Sequence, residues 1–298
     1  MQSSETLDRV PDRGDDPEAI TIARGLVEQI SGGQLAIPDL RTAADVDITS
    51  RIAFSIPPLG GMAGWHATFG RELNATDDRR HFVSGPCPGH CPVIEGKQVQ
   101  PFRVDVAAAR FYIAEQTAAC LLRPNRPYDR PRLGYREVAA ATNRLTLIAA
   151  IVPAGVVTTH TVFCMKQDVG EELRQFLCGM FNSFVANYLV RLRVGTHVTA
   201  AIVESLRVPR PDTASDAFRE IASIADRLGR GAGDAVDRAR LQALAAGIYG
   251  LDRVQFEHVL DTFPLIDLSD RHAAAEAFAA HGRTRPGVTT EGHGTTPN

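Results

Sequence analysis

The feature that most constrains this chain is an apolar stripe between residues 171 and 193. Leu173, Phe176, Leu177, Met180, Phe181, Phe184, Val185, Tyr188, Leu189 and Leu192 recur mainly at spacings of three and four residues. Such a repeat marks one face of an α-helix. It predicts an unbroken helix over 171–193, and a face so rich in Phe and Leu is expected to pack into a core rather than against a ligand.

Around this segment the pattern changes. Residues 18–30 predict a short helix with Ile20, Ala23, Leu26, Val27 and Ile30 on one side. The Pro- and Gly-rich stretch from Phe54 to Phe69 reads as loop or short strand. Val156–Cys164 is the best strand candidate, and Leu145–Val152, bounded by Pro153-Ala154-Gly155, reads as a buried strand ending in a turn. Three further helices are expected. One covers 215–229, with Ser215 as cap and Phe218, Ile221, Ile224 and Leu228 inward. Another covers 234–249, with Val236, Leu241, Leu244 and Ile248 inward and Gly250 closing it. The last runs from Asp252, capped with Gln255, to about Thr262. Strands followed by helices give an α+β fold: a β-containing lobe and then a helical C-terminal region. Residues 1–17 and 282–298 are expected to be loose, from their charge and their Gly, Thr and Pro content.

Hydrophobic residues make up 44% of the 298 and charged residues 22%, as in ordinary soluble domains. No apolar run approaches the ~20 residues of a membrane span, and no basic-then-apolar leader opens the chain. Five cysteines, an odd number, argue against a disulfide framework and for a reducing cytoplasm. The net charge of −3 hides an uneven distribution. Residues 97–210 hold 15 Lys and Arg against 8 Asp and Glu, while both ends are acidic. A local positive face is all that phosphate binding requires; a solvated Arg-rich surface explains the same numbers.

Several chemistries lack their residues. Gly60-Gly61-Met62-Ala63-Gly64 follows two prolines rather than a strand, so it does not read as a loop for S-adenosylmethionine. In Pro124-Asn125-Arg126-Pro127-Tyr128, Arg126 interrupts the Asn-Pro-Pro-aromatic string of adenine amino-methylases. There is no ATP-binding P-loop. Cys87, His90 and Cys91, with His81 upstream, have the atoms for a zinc site. They are too crowded to resemble the usual two separated ligand pairs, and a cysteine-containing loop without metal is the stronger reading.

Four colinear stretches carry a family resemblance: Trp65 to Arg79; Pro92 to Phe102, with Glu95-Gly96-Lys97; Tyr135 to Thr161, with Asn143-Arg144; and Phe181 to Pro209, with Arg191, Arg193 and His197. Together they resemble the C-terminal half of type IIG-like and BREX-like adenine-specific DNA methyltransferases. The third and fourth look like the TaqI-like specificity domain. The resemblance covers residues 40–266 and lacks the catalytic half expected upstream. It implies a connector over 18–91, a specificity domain over 92–210 and a helical region over 211–281. Double-stranded DNA would be the ligand. A methyltransferase subunit encoded nearby would be the partner and would hold S-adenosylmethionine; this chain would have no cofactor and no catalytic residue of its own. The setting would be restriction-modification or phage defence. The alternatives are a non-catalytic remnant or protein-interaction module, and a small zinc-stabilised domain or enzyme.

The residues suit DNA contact in different ways. Lys97 can reach a phosphate as a point charge; the competing reading is a turn with an exposed lysine. Arg103, Arg132, Tyr135, Arg136 and Arg144 lie in the basic block, and arginine can grip a phosphate or read guanine with two parallel bonds. His160 joins them. Asn143 can read adenine, although an asparagine there more often serves its own backbone. Arg191, Arg193 and His197 follow the long helix, where cations are favourable in themselves.

Overall fold

The computed structural model describes residues 20–31 and 36–283. Segment 1–17, and 282–298 apart from its first two residues, therefore lie outside the described residues. Helices α1 (Arg24–Ser31) and α2 (Ala43–Ser55) come first. The α1 helix starts later than the periodicity suggests, and α2 was not anticipated. Its start is fixed by a capping box, in which Thr42 accepts from Asp45 N and the Asp45 carboxylate accepts from Thr42 N. Ten short strands and one helix follow: β1 (Phe69–Gly70), β2 (Phe82–Ser84), β3 (His90–Ile94), β4 (Val99–Gln100), β5 (Arg103–Val104), β6 (Phe111–Ala114), α3 (Glu115–Leu121), β7 (Arg132–Arg136), β8 (Ala149–Val152), β9 (Val157–Thr158) and β10 (Val162–Met165). The remainder is helical: α4 (Glu171–Phe181), α5 (Phe184–Arg191), α6 (Ala200–Glu204), α7 (Asp216–Gly229), α8 (Ala235–Ile248), α9 (Arg253–Asp261) and α10 (Leu268–Arg283). The fold is α+β, with its helices gathered at the C-terminal end.

Two four-stranded sheets share the β region. One has the order β1-β10-β7-β8 and is antiparallel throughout. The other has the order β2-β6-β3-β9, with β3 and β9 parallel. The expected single strand over 156–164 is therefore two strands in different sheets, separated by a turn at His160 and Thr161. Side chains alternate across the first sheet. Leu133, Tyr135, Ala149, Phe163 and Met165 face the helices, where Phe176, Phe181 and Phe218 continue the core. Ala150, Val152, Val162 and Cys164 face the other way, toward Ile94, Val99 and Val156. The first sheet thus has the helices on one face and, on the other, the small two-stranded β4–β5 sheet with the end of β3.

The stripe over 171–193 is buried as expected, but it is two helices rather than one. The break at Asn182-Ser183 has a physical cause. Ser183 caps α5 by accepting from Ala186 N. The Asn182 side chain accepts from Ala149 N at 3.2 Å and donates to Ala149 O at 2.9 Å. Asn187 accepts from Thr146 N and Leu147 N at 2.9 and 2.8 Å. These amides satisfy the N–H groups of Ala149, Thr146 and Leu147, whose side-chain acceptors a continuous helix would displace. Further on, α7, α8 and α9 begin at Ser215, Asp234 and Asp252, and Gly250 has φ +73°, as the sequence predicts. Val236 is a correction: it is 74% exposed, on the solvent side of α8.

Candidate nucleic-acid interface

The turn joining β9 to β10 carries the chain from one sheet to the other, and four other segments are bonded to it or to its neighbours. Thr159 N donates to Ile94 O at 2.9 Å, and Gly96 N donates to Thr161 Oγ1 at 2.8 Å, which fixes the Glu95-Gly96-Lys97 turn. Leu73 N donates to Thr158 O at 3.0 Å, and Ala75 N donates to His160 Nδ1 at 3.1 Å. Glu137 N donates to Thr161 O at 3.0 Å. Glu137 O in turn accepts from Val198 N at 2.7 Å, and Val138 forms a bridge with His197. Residues far apart in the chain are thereby gathered into one cluster of loops.

This cluster brings together Lys97, Arg136, His160 and His197 from the expected set. It adds Arg71, which is 54% exposed, donates to Glu137 Oε1 at 3.1 Å and lies over the Phe163 ring. The signal for Arg71 was its place in the first family-like stretch, next to Glu72. Lys97 pairs with Glu95 at 2.8 Å, so the turn reading and the phosphate reading both survive for it. His160 accepts at Nδ1, which makes Nε2 the nitrogen that carries the proton of its neutral ring. His197 is exposed and shares a hydrogen bond with Thr196 Oγ1 at 2.8 Å.

Other candidates are buried or turned inward. Arg132 is 1% exposed and forms a two-bond pair with Glu72, itself 3% exposed. Alternation along β7 puts Tyr135 on the opposite face, fully buried against Phe69, Phe163 and Phe181. Arg191 turns inward. It donates to Thr262 O at 2.7 Å, to Arg144 O at 3.1 Å and to Asn143 O, and its guanidinium lies 4.0 Å from the centre of the Phe263 ring. Burial holds its pKa down at about 10, so it stays charged at neutral pH while tying α5 to the β7–β8 loop. Arg193 donates inward to Ser205 Oγ at 2.7 Å.

Three candidates are exposed but sit elsewhere. Arg103 lies beside Gly231, where α7 passes to α8. Asn143 and Arg144 border two different clefts of about 440 and 450 Å³. In the second, Arg144 faces Asp267 and Asp270 at 3.9 and 3.7 Å. The basic block is thus partly neutralised by carboxylates outside it: Glu72, Glu95, Asp267 and Asp270.

The Cys/His candidates do not converge. Among the described residues, no group of three or more His, Cys, Asp or Glu side chains could hold a metal ion. Cys91 is buried on β3, and burial raises its thiol pKa, while Cys87 is exposed. His90 Nδ1 is occupied by Pro88 O at 3.0 Å. His81 accepts from Arg80. The glycine-rich 60–64 loop is a tight structural turn, since a Cβ on Gly64 would lie 2.0 Å from Pro58 O. No described helix is long and apolar enough to cross a membrane.

No protein-family model matches the chain, and no curated protein matches it. Several solved chains are similar in fold. One of them is MmeI, described as a type IIL restriction-modification enzyme in complex with DNA, with TM-score 0.42 and 11% identity over 77% of this chain. The chain spans about a third of that protein, 34%. A likeness at this level assigns no activity.

Proposed function

We propose that this chain is a DNA sequence-recognition subunit, or a split-off specificity half, of an adenine-N6 DNA methyltransferase in a cytoplasmic restriction-modification or phage-defence system. The observation that carries the reading is the loop cluster around the β9–β10 turn, where Arg71, Lys97, Arg136, His160 and His197 come from five segments bonded together. Phosphate contacts fix register, and side chains from several loops can then reach base edges. The family-like stretches in the sequence agree with this assignment. In this reading a separate methyltransferase subunit binds S-adenosylmethionine and flips the target base, and residues 92–210 form the DNA-reading unit.

Reconstitution tests it. Alone, the chain is expected to bind duplex DNA with affinity that falls steeply with salt, and to transfer no methyl group. With the methyltransferase encoded beside it, methylation should become confined to one sequence. Salt-independent binding, or none, would instead favour a protein-interaction module.

A further inference from the structure

Where α1, α2 and α5 end, a cavity of about 20 Å³ is lined by Thr49, Leu192, Arg193, Ser205, Leu206 and Arg207, among others. It has room for one species about the size of a water molecule. No carboxylate lines it. Arg193 donates to the Ser205 hydroxyl, whose own proton is directed at Ala201 O and Ile202 O. Arg207 donates to Ile56 O at 2.9 Å and to the backbone and side-chain oxygens of Gln29. These acceptors are neutral; carbonyls at helix ends carry only partial negative charge. Arg207 Nε is buried without a hydrogen-bond partner. Thr49 Oγ1 is also buried and makes no bond of good geometry; its interaction partner is the Tyr188 hydroxyl oxygen, toward which it acts as a donor and from which it can turn.

Two guanidinium groups therefore flank one small space with no opposing full charge among the described residues. Burial pushes both pKa values down, Arg193 to about 10, and the charge of Arg207 adds to the effect there. Both remain cations at neutral pH. Water there would accept hydrogen bonds but neutralise nothing, and the enclosed part of the space, about 20 Å³, cannot take in a whole sulfate or organic phosphate. We propose that this cavity binds a single halide-sized monovalent anion, chloride in ordinary buffers, between Arg193 and Arg207 with the Thr49 hydroxyl as a third donor.

Crystals of the full chain soaked in bromide test the site directly. An anomalous peak between Arg193 and Arg207 is expected, and its absence at saturating bromide overturns the proposal. Thermal unfolding is the solution test. At matched ionic strength, chloride should raise Tm by about 3 °C over gluconate, a shift typical of a ligand binding only the folded state. Arg193→Met should abolish the chloride-specific rise. In gluconate its Tm should equal or exceed that of the parent, because one of two like charges is gone. Thr49→Val, a milder change, should reduce the rise without unfolding the protein. Equal Tm in the two salts, or a chloride effect unchanged in both variants, counts against an anion here.

Discussion

Arg132 and Glu72 form a buried, two-bond ion pair between the two sheets, at 2.5 and 2.6 Å. The pair is built into the backbone on both sides. Arg132 also donates to Val156 O at 2.9 Å, and Glu72 Oε2 also accepts from Thr158 N at 2.8 Å. It therefore fixes β9 against the β1–β2 connection, immediately before the turn on which the candidate interface is assembled. An arginine that reads as a DNA contact in the sequence is instead a support beneath the loops.

The first prediction follows from its burial. Removing one partner leaves the other charge uncompensated, which costs about 3–5 kcal/mol. Glu72→Gln and Arg132→Met should each lower the unfolding free energy by that order, and the denaturation midpoint with it. The double variant Glu72→Leu with Arg132→Met should recover part of the loss, but not all, because Thr158 N and Val156 O lose their partners. Denaturant titration of the three variants measures it; single variants as stable as the parent would contradict the assignment.

How much of this was legible in the sequence depends on the range of the interactions. The helices α7, α8 and α9 were readable because Ser215, Asp234, Asp252 and Gly250 act within one turn of their own chain. The break at Asn182 was not, because its cause is the edge of β8, more than thirty residues away. The same limit applies to the site. Lys97 lies on an exposed turn, as charge alone suggests, and Arg136 is half-buried at the end of the inner strand β7. Whether Arg132, Arg191 or Arg193 points outward depends on Glu72, Phe263 and Ser205, which no local pattern announces.

The second prediction separates surface cations from structural ones. Lys97→Ala and Arg136→Ala should leave Tm nearly unchanged and weaken DNA binding; Arg71→Ala should weaken binding too but also lower Tm, because it takes the ion-pair partner from the buried Glu137 carboxylate. If each contacts a phosphate, each should reduce the slope of log K against log salt by about 0.9. Arg191→Ala is the control, expected to lower Tm because it frees three backbone carbonyls. Binding isotherms over a salt series, with parallel melts, make the comparison. Slopes unaltered in all three surface variants would place the interface elsewhere.

The third concerns the Cys/His loop. Since Cys87, His90, Cys91 and His81 do not form a ligand group, the purified chain should carry no stoichiometric zinc by elemental analysis. Chelator should leave the melting curve in place. Cys87 should react with an alkylating reagent in the folded protein, whereas buried Cys91, whose thiol pKa is raised, should not. A chelator-induced drop in Tm would restore the zinc-stabilised alternative.

The last prediction rests on Asp45, which joins α2, α5 and α9. Its Oδ1 accepts from the Tyr188 hydroxyl at 2.6 Å and from His258 Nε2 at 2.8 Å. Its Oδ2 accepts from Arg41 N, Thr42 N and Thr42 Oγ1 at 3.0, 2.9 and 2.9 Å. Burial acts to raise the pKa of this carboxyl, but the bonds from His258, Tyr188 and the capping turn outweigh it and hold it at about 2, against an ordinary 3.8. A folded pKa below the unfolded one means that the ionised form stabilises the fold. That stabilisation is complete above the unfolded value and fades as pH falls from about 4 toward about 2. Asp45→Asn should therefore be less stable than the parent at pH 7, and the gap between the two should narrow across that acidic window. Tyr188→Phe, which removes one bond to the same carboxylate, should cost about 1 kcal/mol at pH 7 and also lose part of the acid dependence. Chemical denaturation from pH 2 to pH 6 tests all three proteins. A gap between parent and Asp45→Asn that stays constant over the range would show that Asp45 holds the three helices through shape and hydrogen bonding rather than through its charge.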